Sequence, residues 1–116
     1  MKEDTIKVRQ LQEKLNKHEP VFILDVRPLN ERQEWKIAES THVDAYKRLK
    51  EGDDTALDTI DLPQNAAIVT VCAAGKTSLL ASQLLKRKGV KAYSLEGGMK
   101  AWNYAWNTST LDIEDG

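Results

Sequence analysis

Apolar residues near the start of the chain follow first a helical and then a strand-like pattern. Over residues 8 to 17, Val8, Leu11 and Leu15 recur at helical spacing, and the continuous apolar run at 21 to 24 is typical of a buried strand. The proline at position 28 is expected to end the extended segment, and residues 30 to 37 then predict a short charged helix. This part of the chain therefore predicts a helix, a strand and a second helix.

The middle of the chain has a weaker pattern that strengthens again before its single cysteine. Residues 42 to 45 predict a short strand, and residues 46 to 50 predict a helical turn before the acidic segment 51 to 54. The apolar, β-branched run at 66 to 71 predicts a central strand. Cys72 is therefore expected at the carboxyl end of that strand.

The clearest helix is predicted for residues 78 to 88, after a loop at residues 73 to 77. Thr77 or Ser78 is expected to cap this helix, and Gly89 is expected to end it. Its apolar face is expected to carry Leu80, Leu84 and Leu85.

The last elements continue the alternation of strands and helices. Residues 90 to 95 predict a strand, residues 97 to 98 a turn, and residues 99 to 106 a helix with Trp102 and Trp106 on one face. Alternation of this kind predicts an α/β domain with a parallel sheet.

Length and charge limit the domain count and the kinds of partner. With 116 residues, 41% of them hydrophobic, the chain is expected to form one domain at residues 1 to 107, followed by an acidic tail at 108 to 116. The 17 basic and 18 acidic residues give a net charge of -1 without a long basic block, so no nucleic-acid partner is expected. The polar first residues and short apolar runs predict neither a signal peptide nor a membrane partner, and hence a cytoplasmic protein.

The chemistry around Cys72 follows from its neighbours. A cysteine between a central strand and a helix lies where open α/β sheets bind ligands, and the small residues around Gly75 allow backbone N–H groups to surround its sulfur. Such a cradle stabilises a thiolate, and Lys76 would act in the same direction. The structural alternative is a small buried cysteine with no chemical role. With one cysteine and two histidines, no metal-binding spacing is present.

Several short segments occur in a fixed order across residues 5 to 106. They are LDVR at 24 to 27, EW at 34 to 35, HV at 42 to 43, VCAAGKTS at 71 to 78, and LEGG at 95 to 98 with Trp102 beyond it. This order resembles the single-domain rhodaneses. The resemblance implies a three-layer α/β fold with a central five-stranded parallel sheet flanked by helices.

The resemblance also implies a function and a set of site residues. The activity would be sulfur transfer, in which Cys72 takes sulfane sulfur from a persulfide or thiosulfate donor as a cysteine persulfide and passes it to a thiol or cyanide. No metal or organic cofactor is implied. Asp25 and Arg27 would form an ion pair that braces the site, although an ordinary surface pair is the alternative. The backbone N–H groups that would hold the outer sulfur belong to Ala73, Ala74, Gly75, Lys76, Thr77 and Ser78.

The chain departs from the family where many members place an arginine to meet thiosulfate. Those positions hold Ala73 and Thr77, which leaves Lys76 as the cation of the loop. A low-molecular-weight or protein-bound persulfide is therefore expected to be a better donor than thiosulfate. The glycine usual before the histidine is replaced by Ser40-Thr41, which weakens the prediction for residues 38 to 46.

Two other functions compete with sulfur transfer. A phosphatase of related fold needs an arginine six positions after its cysteine, and that position is Ser78. A non-catalytic interaction or redox-sensing module is the stronger alternative, because fold does not fix function. In that case tryptophans could form a recognition surface, but Trp35, Trp102 and Trp106 are expected in the core or the cleft wall. Similar domains also occur fused to persulfide dioxygenases, which suggests a functional link to such an enzyme.

Overall fold

The computed structural model describes residues 4 to 105 as a three-layer α/β domain; Trp106 and the tail predicted at 108 to 116 lie outside the described residues. Its strands are β1 (Thr5–Ile6), β2 (Val21–Asp25), β3 (Thr41–His42), β4 (Ala67–Val71) and β5 (Ala92–Leu95). Its helices are α1 (Val8–Asn16), α2 (Leu29–Glu34), α3 (Tyr46–Lys50), α4 (Lys76–Arg87) and α5, of which residues 98–105 are described.

The five strands form one parallel sheet in the order β1-β5-β4-β2-β3, which confirms the predicted fold class. Strand β4 is central and pairs with β2 along its whole length, from Val21 opposite Ala67 to Asp25 opposite Val71. The edge strands are much shorter, with two residue pairs each. The strand that leads into Cys72 is therefore held on both sides.

The sheet separates two apolar layers, as the alternation of side chains along β4 requires. On one side Ile68 packs with Leu49 of α3 and with Leu84 of α4. On the other side Val69 and Val71 belong to a cluster that includes Leu11 of α1 and Met99 of α5. Helices therefore cover both faces, and no helix among residues 4 to 105 is long and apolar enough to cross a membrane.

Helix α4 begins earlier than predicted, and the prediction of a cap at Thr77 or Ser78 is wrong. Gly75 occupies the N-cap position with a left-handed φ of 99° and without a side-chain cap, so the chain turns into the helix at Lys76. Leu84 and Leu85 are buried as expected, but Leu80 is 41% exposed. It lies against the cleft described below, not in the core.

The other differences lie at the ends of elements. Helix α2 ends at Glu34 because Trp35 takes an extended conformation, so residues 35 to 37 are not helical. Strand β3 covers 41 to 42 only, and β5 begins at Ala92 because the Val90 N–H donates to the Leu85 carbonyl at the end of α4. Strand β1 was not predicted, since two residues carry no periodic signal.

Candidate functional site

Cys72 follows the last residue of β4, at the carboxyl edge of the sheet, as predicted. The Cys72 loop, residues 72 to 75, leads from this strand into α4. The start of α5 holds the loop, because the Met99 N–H donates to the Cys72 carbonyl at 2.8 Å and the Lys100 N–H to the Ala73 carbonyl at 3.0 Å. The backbone around the cysteine is thus fixed by two helices.

The sulfur of Cys72 is surrounded by polar groups from the start of α4. The backbone N–H groups of Gly75 and Ser78 donate to its Sγ at 3.1 and 3.2 Å, and the Ser78 hydroxyl lies 3.3 Å from it. The cysteine is 4% exposed. Donors aimed at one atom near a helix N-terminus favour negative charge there, so this environment stabilises a sulfur anion.

A second hydroxyl extends this arrangement below the sulfur. The Oγ atoms of Ser78 and Ser94 are 2.7 Å apart, and Ser94 also contacts the Gly75 carbonyl at 3.5 Å. Ser94 was not singled out from the sequence. The available signal was a serine inside the buried strand β5, because a buried hydroxyl requires a hydrogen-bond partner.

An open cleft with a volume of about 410 Å³ gives access to the loop. It brings together most of the predicted site residues. Of the others, Gly75 in the loop and Ser78 in α4 contact the sulfur, and the buried Asp25 contacts Arg27 of the lining. Helices α2, α3 and α4 add residues that were not predicted as part of the site. The full lining is Arg27, Glu31, Tyr46, Lys50, Cys72, Ala73, Ala74, Lys76, Thr77 and Leu80.

The predicted pair of Asp25 and Arg27 is buried, so its interpretation as an ordinary surface pair is wrong. Arg27 Nη2 and Nε donate to Asp25 carboxylate oxygens at 2.8 and 3.0 Å, and both residues are under 5% exposed. Arg27 also donates to the Trp35 carbonyl, and Arg32 Nη1 lies 3.4 Å from Asp25 Oδ2. The pair therefore connects the end of β2 to the segment after α2.

Two opposing effects act on the Asp25 carboxyl. Burial disfavours the ionised form, but hydrogen bonds and positive charge from Arg27, with a further hydrogen bond from Arg32, outweigh it. The pKa of Asp25 therefore lies below its usual 3.8. Since the folded-state pKa is the lower one, the ion pair stabilises the fold above about pH 4 and this contribution is lost as the pH falls through the folded-state value.

This shift predicts an acid-dependent difference between the wild type and Asp25→Asn. The wild type is expected to be more stable at pH 7, and the gap in urea midpoint is expected to narrow as the pH falls below about 4. Urea unfolding at pH 7, 5, 4 and 3 measures it. Asp58→Asn, which removes an exposed carboxylate paired with Lys88, controls for the loss of one negative charge. A difference in urea midpoint that stays constant down to pH 3 would contradict the lowered pKa of Asp25.

The two remaining structural expectations concern tryptophans and metals. Trp35 is 44% exposed, so its predicted place in the core or cleft wall is wrong, whereas Trp102 is partly buried against the cluster around Val69. Residues 4 to 105 contain no group of three or more histidine, cysteine, aspartate or glutamate side chains arranged to hold a metal ion.

Comparison with known proteins agrees with this fold. Residues 7 to 105 match the model of the rhodanese-like domain, and the chain belongs to that family. It is 30% identical over 98 residues to the "Putative sulfurtransferase YtwF" of Bacillus subtilis (strain 168). The aligned region covers 84% of this chain and 87% of that protein. These findings confirm the resemblance to rhodaneses.

Two solved structures from staphylococci have the same fold. A rhodanese-like domain protein from Staphylococcus aureus is 30% identical, with a TM-score of 0.71 over 85% of this chain and 90% of that one. A protein from Staphylococcus saprophyticus is 29% identical, with a TM-score of 0.68 over 85% of this chain and 92% of that one.

Proposed function

We propose that this protein is a sulfurtransferase that carries sulfane sulfur as a persulfide on Cys72. The observation that carries the proposal is the position of Cys72 Sγ, which receives two backbone N–H groups within 3.2 Å and lines an open cleft. A merely structural cysteine needs neither the donors nor access to a cleft. The sulfurtransferase name of the Bacillus subtilis relative supports the same reaction class.

The reaction consists of two displacements at sulfur. In the first, the Cys72 thiolate attacks the outer sulfur of a donor persulfide, the donor S–S bond breaks, and the donor leaves with the electron pair as a thiolate. In the second, an acceptor thiolate or cyanide attacks the outer sulfur, and the Cys72 thiolate leaves. A thiol acceptor forms a new S–S bond and becomes a persulfide, whereas cyanide forms a C–S bond and becomes thiocyanate. In every displacement the leaving thiolate takes the electron pair of the S–S bond that breaks, so no separate oxidant or reductant is required.

The loop can hold the outer sulfur between these steps. The backbone N–H groups of Ala73, Ala74, Lys76 and Thr77 have no acceptor among residues 4 to 105. The last two belong to the first turn of α4, where intrahelical partners do not exist. Together with Gly75 and Ser78, they are the donors that we propose for the anionic outer sulfur of the persulfide.

The cleft supports an organic persulfide as a better donor than thiosulfate. The guanidinium of Arg27 is already engaged by Asp25, which leaves Lys76 and Lys50 as the other cations of the lining. Leu80 and Tyr46 offer partly exposed apolar surface to the organic part of a donor, which thiosulfate lacks.

A cytoplasmic location and a functional link to a persulfide dioxygenase stay predictions.

The experiment is intact-mass measurement after incubation with glutathione persulfide and, separately, with thiosulfate. The wild type is expected to gain one sulfur atom, faster from glutathione persulfide, and to lose it when thiol or cyanide is added. Cys72→Ser is expected to gain none.

The outcomes separate the two candidate roles. An adduct that requires Cys72 and is discharged by the acceptor supports the sulfurtransferase. Faster loading from thiosulfate would overturn the donor preference alone. A folded wild type that gains no sulfur from either donor would exclude the enzyme and leave the interaction or redox-sensing module.

A further inference from the structure

Three side chains form a continuous polar chain beneath the candidate site. The Ser78 hydroxyl lies 3.3 Å from Cys72 Sγ and 2.7 Å from the Ser94 hydroxyl. Ser78 and Ser94 are at most 1% exposed, so protein atoms and not bulk water must satisfy these hydroxyls. The contacts join α4, β5 and the end of β4 at one point.

The direction of this chain depends on the charge of the sulfur. A neutral thiol can donate to Ser78, which then donates to Ser94, which in turn donates to the Gly75 carbonyl. A sulfur anion has no proton to give, so Ser78 must donate to it and Ser94 must donate to Ser78. Only rotation of the hydroxyl hydrogens separates the two arrangements, and the contact given up is the longest, at 3.5 Å.

Ser94 has a specific effect on the anionic arrangement. A helical serine can instead donate to the carbonyl three or four residues earlier, which would turn its hydrogen away from the sulfur. A donor 2.7 Å from Ser78 Oγ occupies the acceptor side of that oxygen and polarises its O–H bond. The backbone of Ser78 is held separately, because Thr70 donates to its carbonyl at 2.7 Å.

We propose that Ser94 is a positioning residue, whose hydroxyl donates to Ser78 and thereby keeps the Ser78 O–H directed at the anionic sulfur of Cys72. The inference rests on the proposed function, because it assigns Ser94 a role in the thiolate and persulfide states. Ser94 itself makes no contact with the sulfur among the described hydrogen bonds.

The test is the pH profile of alkylation of Cys72 by iodoacetamide, which needs no sulfur donor. Cys72 is the only cysteine of the chain, so alkylation reports on this thiol alone. Ser94→Ala is expected to raise the pH midpoint of the alkylation rate by about 0.5 to 1 pH unit, because a hydrogen bond supporting the anion is weakened. Ser78→Ala is expected to raise it at least as much, and Ser94→Ala is expected to add nothing in that background.

Two sets of controls separate this effect from loss of packing. Ser82→Ala removes another fully buried serine of α4, whose hydroxyl contacts the Leu79 carbonyl, and is expected to leave the midpoint unchanged. Ser94→Thr and Ser94→Val have nearly the same shape, and only the threonine keeps the hydroxyl, so only the valine variant is expected to show the raised midpoint. The titratable groups that line the cleft stay the same in every variant; they are Arg27, Glu31, Tyr46, Lys50 and Lys76.

An unchanged midpoint in folded Ser94→Ala, equal midpoints in Ser94→Thr and Ser94→Val, or an equal rise in Ser82→Ala would overturn the inference. Failure of the wild type to accept sulfur would overturn the proposed function instead, since the alkylation profile is measured without it.

Discussion

Gly98→Ala is expected to destabilise the protein by about 3 kcal/mol and to abolish loading of Cys72. A β-carbon at position 98 would lie 2.3 Å from the Cys72 carbonyl oxygen and 2.7 Å from the Ala73 carbonyl carbon. Both are backbone atoms, so no side chain can rotate away. Relief requires the Cys72 loop and the start of α5 to separate, which breaks the hydrogen bonds that Met99 and Lys100 donate to the loop.

Thermal unfolding and intact-mass loading measure the two effects of Gly98→Ala. A loss of this size corresponds to a fall in Tm of about 10 °C or more for a domain of this size. Gly52→Ala is the matched control, because Gly98 and Gly52 both have a left-handed φ, of 60° and 79°, but no atom lies within 4 Å of a carbon added at Gly52. It is expected to cost about 1 kcal/mol from backbone strain and to load normally. Equal losses in the two variants would show that the close approach at Gly98 has no effect.

Asp25→Asn is expected to destabilise the fold by about 3 kcal/mol at pH 7, because it leaves the buried Arg27 without a balancing charge. The variant loses the Coulomb attraction between the carboxylate and the Arg27 guanidinium. The asparagine amide is also a weaker hydrogen-bond acceptor than the carboxylate for Arg27, which is 4% exposed. Arg27 also lines the cleft, so slower sulfur loading is expected in the folded fraction. Urea unfolding at pH 7 and the loading rate at low denaturant measure the two effects.

Asp58→Asn is the control for the ion pair. Asp58 pairs with Lys88 at 2.7 Å, but both side chains are at least 41% exposed. Removing this pair is expected to change stability by less than about 1 kcal/mol. Equal losses in the free energy of unfolding for Asp25→Asn and Asp58→Asn would show that burial does not strengthen the pair of Asp25 and Arg27.

The sequence predicted the sheet, the position of Cys72 and the pairing of Asp25 with Arg27 because each has a local signature, but it left open whether that pair is buried. Strand β4 is a run of β-branched apolar residues, and the other features follow from motifs that resemble those of a known family. Helix boundaries were less predictable, since the start of α4 depends on the left-handed conformation of Gly75 and not on a capping side chain. Periodicity does not report a backbone conformation of that kind.

The added residues of the cleft lining and the two hydroxyls beside the sulfur could not be predicted for a different reason. Leu80 has the spacing of a core residue, yet it is partly exposed and lines the cleft. Ser94 and Ser78 are 16 residues apart in sequence, and the packing of α4 against β5 brings their hydroxyls to 2.7 Å. Such contacts depend on tertiary packing, which a single sequence shows only indirectly.

The strand order also has a consequence for how the protein is made. Strand β1 pairs only with β5 among the described strands, with Thr5 opposite Ser94 and Ile6 opposite Leu95. Strand β1 is synthesised before the other four described strands and therefore has no partner in this sheet until residues 94 and 95 have been synthesised. Until then, one edge of the apolar strand β4 is also unpaired, because β5 is its neighbour on that side. A nascent chain stalled before β5 would present this edge to other chains, and hence an opportunity for aggregation that the completed sheet removes.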